Sequence, residues 1–167
     1  LYGGTIESTS GTAIHNYGTT NTYGLLSPEG TPYSTAVTGI KDLMVNEFKA
    51  TLNVTNTNVT TDNHTNVIVN KAGTVTVKGT ILLTPNSSSL YTCGIYNAGW
   101  QLGETLYGGT VTVEDGTLVT SPVDTNGARA GRYGIYNEVG EVVVNGGWIE
   151  VYDSAIHNCD TMYTPLG

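Results

Sequence analysis

The tripeptide Ile-x-Asn, set behind a small residue, recurs along this chain, and a motif repeated at such intervals leaves few folds open. It reads Ala13-Ile14-His15-Asn16, Gly94-Ile95-Tyr96-Asn97, Gly134-Ile135-Tyr136-Asn137 and Ala155-Ile156-His157-Asn158. Two degenerate copies, Gly39-Ile40-Lys41-Asp42 and Val67-Ile68-Val69-Asn70, fall between the first and the second. The isoleucines stand at 14, 40, 68, 95, 135 and 156, in steps of 26, 28, 27, 40 and 21 residues. Self-similarity at a period of roughly 20–50 residues marks stacked supersecondary units.

The residues after each copy identify the unit. Asn70 leads into Gly73-Thr74-Val75-Thr76-Val77 and Gly79-Thr80-Ile81, and Asn97 is followed by Thr110-Val111-Thr112-Val113 and Gly116-Thr117-Leu118. After Asn137 come Glu141-Val142-Val143-Val144 and Gly146-Gly147-Trp148-Ile149, and a diverged Thr51-Leu52-Asn53-Val54 with Val59 comes after Asp42. Apolar residues mostly alternate in these phrases, which is the period of a half-buried strand. Each unit holds about three short strands punctuated by glycine. The reading is all-β, with each unit one turn of a parallel β-helix. Ile40, Leu43, Met44 and Phe48 alone have helical spacing, so Lys41 to Lys49 reads either as a short helix or as a strand of the second unit.

Residues two apart share a face of a strand, so Ile and Asn both point inward and the residue between them points out. Stacking the isoleucines removes apolar surface from water at roughly 25 cal/mol per Å². An inward amide is unfavourable alone. Repeated at the strand spacing of about 4.8 Å, each can donate to the next. Asn16, Asp42, Asn70, Asn97, Asn137 and Asn158 are therefore expected to form a ladder.

Gly3-Gly4-Thr5-Ile6, Gly108-Gly109-Thr110-Val111 and Gly146-Gly147-Trp148-Ile149 resemble phrases of right-handed parallel β-helix repeat proteins. The nearest likeness is to Thr- and Gly-rich solenoids of bacterial cell-surface and adhesin-type proteins. The resemblance implies a right-handed parallel β-helix of about six coils with irregular insertions. It also implies an extracellular or cell-surface location. Residues 1–167 then form a single β-solenoid segment. Leu1-Tyr2-Gly3-Gly4 opens in mid-motif, repeating Leu106-Tyr107-Gly108-Gly109, so the chain is expected to be a fragment of a longer repeat protein or a stacking protomer. Its expected partners are neighbouring solenoid repeats or further copies end to end.

Composition narrows the function. Charged residues make up only 12%, with six Lys and Arg against fourteen Asp and Glu and a net charge of −8. Nucleic acids and anionic membranes both need a positive surface. No apolar run approaches the roughly 18 residues of a membrane span. Neither partner class is expected. Cys93 and Cys159 lie two units apart, about 9.6 Å along the stack at the strand spacing, beyond the roughly 7 Å that a disulfide spans. Asn53, Asn58, Asn63 and Asn86 head Asn-x-Ser/Thr sequons, which are glycosylation acceptors in a secreted eukaryotic protein and compositional accidents in a Thr-rich bacterial one.

No catalytic, cofactor or metal motif stands out. The Gly-x-Ser-x-Gly elbow, the paired zinc histidines and the phosphate loop are missing. Glu114-Asp115-Gly116 and Asp124-Thr125-Asn126-Gly127 read as turns, and Glu138 and Glu141 flank a turn glycine. Two surfaces could bind a partner, either a glycan or another surface protein. One is the outward row His15, Lys41, Val69, Tyr96, Tyr136 and His157, of which Tyr96, Tyr136 and His157 should stack. Such a row offers a sugar platform, or more simply braces neighbouring strands. The other is the insertion after Leu118, with Asp124, Asn126, Arg129, Arg132 and Tyr133, including both arginines of the chain. Insertions in solenoids emerge as loops on one face. The leading expectation is a non-catalytic stalk, filament module or adhesin. A carbohydrate-binding or polysaccharide-processing β-helix is second. An ice-binding solenoid is third, suggested by Thr74-x-Thr76 and Thr110-x-Thr112 and weakened by Asn53 and Val143.

Overall fold

The computed structural model describes residues 6–9, 11–24, 36–39, 42–60, 66–83, 93–121 and 132–159. Among these residues the fold is all-β, without a helix. In chain order the strands are β1 (Ile6–Ser8), β2 (Ile14–Asn16), β3 (Thr19–Tyr23), β4 (Ala36–Gly39), β5 (Met44–Asn46), β6 (Thr51–Thr55), β7 (Asn58–Thr60), β8 (Ile68–Lys71), β9 (Thr74–Lys78) and β10 (Ile81–Leu83). They continue as β11 (Cys93–Ala98), β12 (Trp100–Leu102), β13 (Thr105–Tyr107), β14 (Gly109–Val113), β15 (Leu118–Thr120), β16 (Tyr133–Asn137), β17 (Gly140–Val144), β18 (Trp148–Glu150) and β19 (Ser154–Asn158).

Apart from β12 and β13, successive strands enter three sheets in rotation. The first sheet runs β1-β4-β7-β10-β15-β18, the second β2-β5-β8-β11-β16-β19, and the third β3-β6-β9-β14-β17. Neighbours within these sheets pair in parallel, as where Ile95 faces Ile68 on one side and Ile135 on the other. The rotation is compatible with a parallel β-solenoid. The exception is an antiparallel hairpin of β12 and β13.

Register follows from what each strand must bury. In the third sheet Leu52 and Val54 oppose Val75 and Val77, which oppose Val111 and Val113. All six are fully buried, while Asn53, Thr76 and Thr112 between them face out. A one-residue slip would turn this whole apolar column to solvent, so the alternation locks the pairing. Val59, Leu82 and Val119 make the matching column in the first sheet, and Met44, Ile68, Ile95 and Ile135 in the second. β-branched side chains suit these pleated, enclosed positions.

The second unit departs from the sequence reading. Met44, not an isoleucine, stands opposite Ile14 and Ile68, and Asn46 stands opposite Asn16 and Asn70. Asp42 therefore does not occupy the ladder, and Ile40 and Lys41 lie outside the described residues. The reason is chemical. An ionised carboxylate accepts hydrogen bonds but cannot donate onward to Asn70, whereas the Asn46 amide does both. The segment with helical spacing contains strand β5, and Leu43 just before it is buried with Met44 and Val45.

Candidate functional site

The inward asparagines form one continuous column. Nδ2 of Asn16 donates to Oδ1 of Asn46 at 2.7 Å, Asn46 to Asn70 at 2.9 Å, and Asn70 to Asn97 at 2.8 Å. Asn97 then donates to Asn137 at 2.7 Å and Asn137 to Asn158 at 3.0 Å. Each of the first five amides also donates to a main-chain carbonyl at the corner between the second and third sheets. The acceptors are Gly18, Ala50, Gly73, Gly109 and Gly140. The amides thus join neighbouring units and pin the bend within each unit. The corner glycines are shaped by this: a Cβ on Gly73 would come within 2.4 Å of Asn46 Nδ2, and one on Gly109 within 2.4 Å of Asn70 Nδ2.

On the outer face of the second sheet the middle positions align as His15, Val45, Val69, Tyr96, Tyr136 and His157. Val45 holds the place expected for Lys41. Val45 and Val69 are buried, so the row is accessible only towards its two ends.

At one end Tyr136 stacks on His157 (centroids 5.1 Å, planes 25° apart) and meets Tyr96 edge-on (5.6 Å, 75°). Tyr133, nearly enclosed, tilts against both Tyr136 and His157. The Arg132 guanidinium lies 5.5 Å from the Tyr133 ring and pairs with Asp153 at 3.0 Å. Arg132 and Tyr133 are thus brought beside the tyrosine row. Asp124, Asn126 and Arg129 lie outside the described residues, as do the sequons at Asn63 and Asn86.

The close packing of this cluster shifts its phenols. Burial, with the hydrogen bond that Tyr96 donates to Glu138 and the charge behind it, raises the Tyr96 phenol above its ordinary range. Tyr136 is raised as well, by its contact with Cys159 and then by burial. Burial pushes the Cys93 thiol up, and Cys93 donates to Asn66 Oδ1. Both cysteines are free. At neutral pH the Tyr96, Tyr136 and Cys93 groups stay protonated, so none is an activated nucleophile. The rings also lie in different planes, so they offer no single flat platform.

At the other end of the row His15 stacks on Tyr17 at 4.6 Å and bonds Glu47, which also takes a hydrogen bond from Lys71 at 2.9 Å. Burial works to raise the Glu47 carboxyl. The hydrogen bonds and charges of His15 and Lys71 together outweigh it and hold the group below the usual carboxylate range. Sequence reasoning missed this trio because its members come from three different units. It also missed that Asp42 accepts from the backbone and side-chain N–H of Asn66, whose Oδ1 in turn accepts from the Cys93 N–H.

The outer face of the third sheet is simpler. Thr19, Thr51, Thr74 and Thr110 align in register, and Glu141 comes next in the column. Beside them Asn21, Asn53, Thr76, Thr112 and Val143 form a mixed column in which Asn53 donates to Asn21 at 2.7 Å. Glu114, Asp115 and Gly116 sit at a turn, with Gly116 at φ +74°.

A feature without any sequence signal in the repeat is the β12–β13 hairpin. Trp100 and Tyr107 face each other across it, and both reach Phe48 (6.4 Å at 21° and 5.0 Å at 61°). Among the described residues no group of three or more His, Cys, Asp or Glu side chains is gathered as a metal site would require. Compared with protein-family models, curated proteins and solved structures, the chain matches none.

Proposed function

We propose that the chain is a right-handed parallel β-helix of about six coils with irregular insertions, serving as a non-catalytic structural or adhesive segment of a secreted or cell-surface protein. The observation that carries this reading is the unbroken amide column from Asn16 to Asn158. A stack whose core and polar spine both repeat in register resists bending, and its outer faces remain free to vary. The acidic balance and the abundance of Thr and Gly support an extracellular setting. Its neighbours along the axis are further solenoid repeats or copies of the same chain.

Ice binding is less well supported, because Glu141 and Val143 end both outer columns of the third sheet. The test pairs electron microscopy of the native protein with an assay for new reducing ends on a polysaccharide panel. Straight rods or fibres without cleavage are expected. Saturable release of reducing ends would overturn the non-catalytic reading.

A further inference from the structure

We infer that the β12–β13 hairpin and the turn beneath it form a contact site for a neutral glycan, with Trp100 and Tyr107 as its stacking faces. The inference deepens the adhesive reading and rests on it. The stack itself does not need this hairpin. Two intervening residues close the corner from Asn70 to Gly73 and again from Asn137 to Gly140, and the same amide-to-carbonyl bond closes it from Asn97 to Gly109 around the hairpin. The extra residues between Gly99 and Gly108 therefore serve something other than closure.

They place apolar surface outside the core. Trp100 is 38% exposed and Tyr107 37%, although both touch Phe48. Phe48 lies two positions after Asn46, whereas the hairpin comes after Asn97, so the contact reaches back across the intervening turn at Ala72. That turn is tied on both sides: Lys49 N–H donates to Ala72 O, and Ala72 N–H donates to Ala98 O. Lys49 also caps the Phe48 ring, with Nζ 5.0 Å from its centroid. The hairpin root is equally fixed, because a Cβ on Gly99 would meet Leu106 and Val139 at 3.0 Å. The two rings are therefore pre-positioned, and binding would lose little side-chain entropy.

Size and chemistry identify the occupant. Each strand of the hairpin has three residues. A face that small falls far short of the roughly 800 Å² per partner of a stable protein interface. It suits one or two sugar rings, whose C–H faces lie on aromatic faces while the hydroxyls meet polar tips. The indole N–H, the Tyr107 hydroxyl and the exposed Thr105, which shares their face of the hairpin, supply such tips. With a net charge of −8, the chain favours a neutral over an acidic glycan. The Tyr96, Tyr136 and His157 row, by contrast, is half-buried and tilted.

Trp148→Phe leaves Trp100 as the sole tryptophan, since the chain has two. This protein is titrated with hexamers of β-1,4-linked glucose, xylose, mannose and N-acetylglucosamine, followed by indole fluorescence and calorimetry. Saturable binding of at least one hexamer is expected. Trp100→Ala and Tyr107→Ala should each weaken it at least tenfold at unchanged melting temperature, while Tyr136→Ala leaves it intact. No binding of any hexamer at millimolar concentration, or full binding by both hairpin variants, overturns the site. If Trp100→Ala melts early, the Trp100 indole N–H resonance decides: a shift on adding the hexamer supports the site, and a static signal overturns it. Polysaccharide cleavage would sink the non-catalytic reading without touching these outcomes.

Discussion

An inward asparagine is tolerable only where both ends of its amide are met, and Asn97 shows how completely that is done. It accepts from Asn70 and donates to Gly109 O and Asn137. Asn97→Leu would strand the Asn70 donor and the Asn137 acceptor in the core. At roughly 1–3 kcal/mol for each stranded group, the loss should be about 2–6 kcal/mol. Asn53→Leu removes a bond on the outer face, where Asn21 can turn to water, and should cost about 1 kcal/mol or less. Thermal melts of the two variants check this, and equal drops would contradict the ladder's role. Glu47 gives a pH signature. Its folded pKa is lowered, so its stabilisation is full above the ordinary value of about 4.5 and is lost as pH falls through the folded value. The melting-temperature gap between wild type and Glu47→Gln should therefore be open at pH 7 and narrow as the pH falls below about 4.5. Five of the six ladder residues were legible because Ile-x-Asn announces them. Asn46 was hidden behind Met44, with the decoy Ile40-Lys41-Asp42 just upstream. Only the requirement that every rung donate as well as accept separates Asn46 from Asp42.

At the scale of elements, the corners carry the constraint. Gly140 begins β17 at φ +126°, and a Cβ there would lie 2.0 Å from the carbonyl oxygen of Gly109. Gly140→Ala combines a disfavoured backbone with a clash against main chain and should cost about 3 kcal/mol or more. Gly103, at the hairpin tip, has φ +62° but open space around its missing Cβ. Gly103→Ala should cost only about 1 kcal/mol. Denaturant melts of both variants test the contrast. The strands of the three sheets could be read from alternation, since phrases such as Thr74-Val75-Thr76-Val77 admit one register. The hairpin could not. Trp100-Gln101-Leu102 and Thr105-Leu106-Tyr107 are too short to show a period, and their Phe48 partner is remote in the chain.

At the scale of the molecule, two periods were visible together, one of two residues and one of about 27, and between them they call for stacked parallel strands. They could not supply the arrangement of the outer faces. Outward side chains obey no core requirement, so Glu47 finds His15 and Lys71, and Tyr133 finds His157, only once the units are laid side by side. The amide column has one more property. Every carboxamide in it is oriented alike, with Nδ2 towards β19 and Oδ1 towards β2. Aligned amide dipoles add, as they do along a helix, where each peptide contributes about 3.5 D. The stack therefore carries an axial dipole, positive at Asn158 and negative at Asn16. At the negative pole the Gly18 N–H and the Thr20 hydroxyl already point at Asn16 Oδ1. At the positive pole Asn158 is exposed, and whatever settles on that rung must arrive with an acceptor leading.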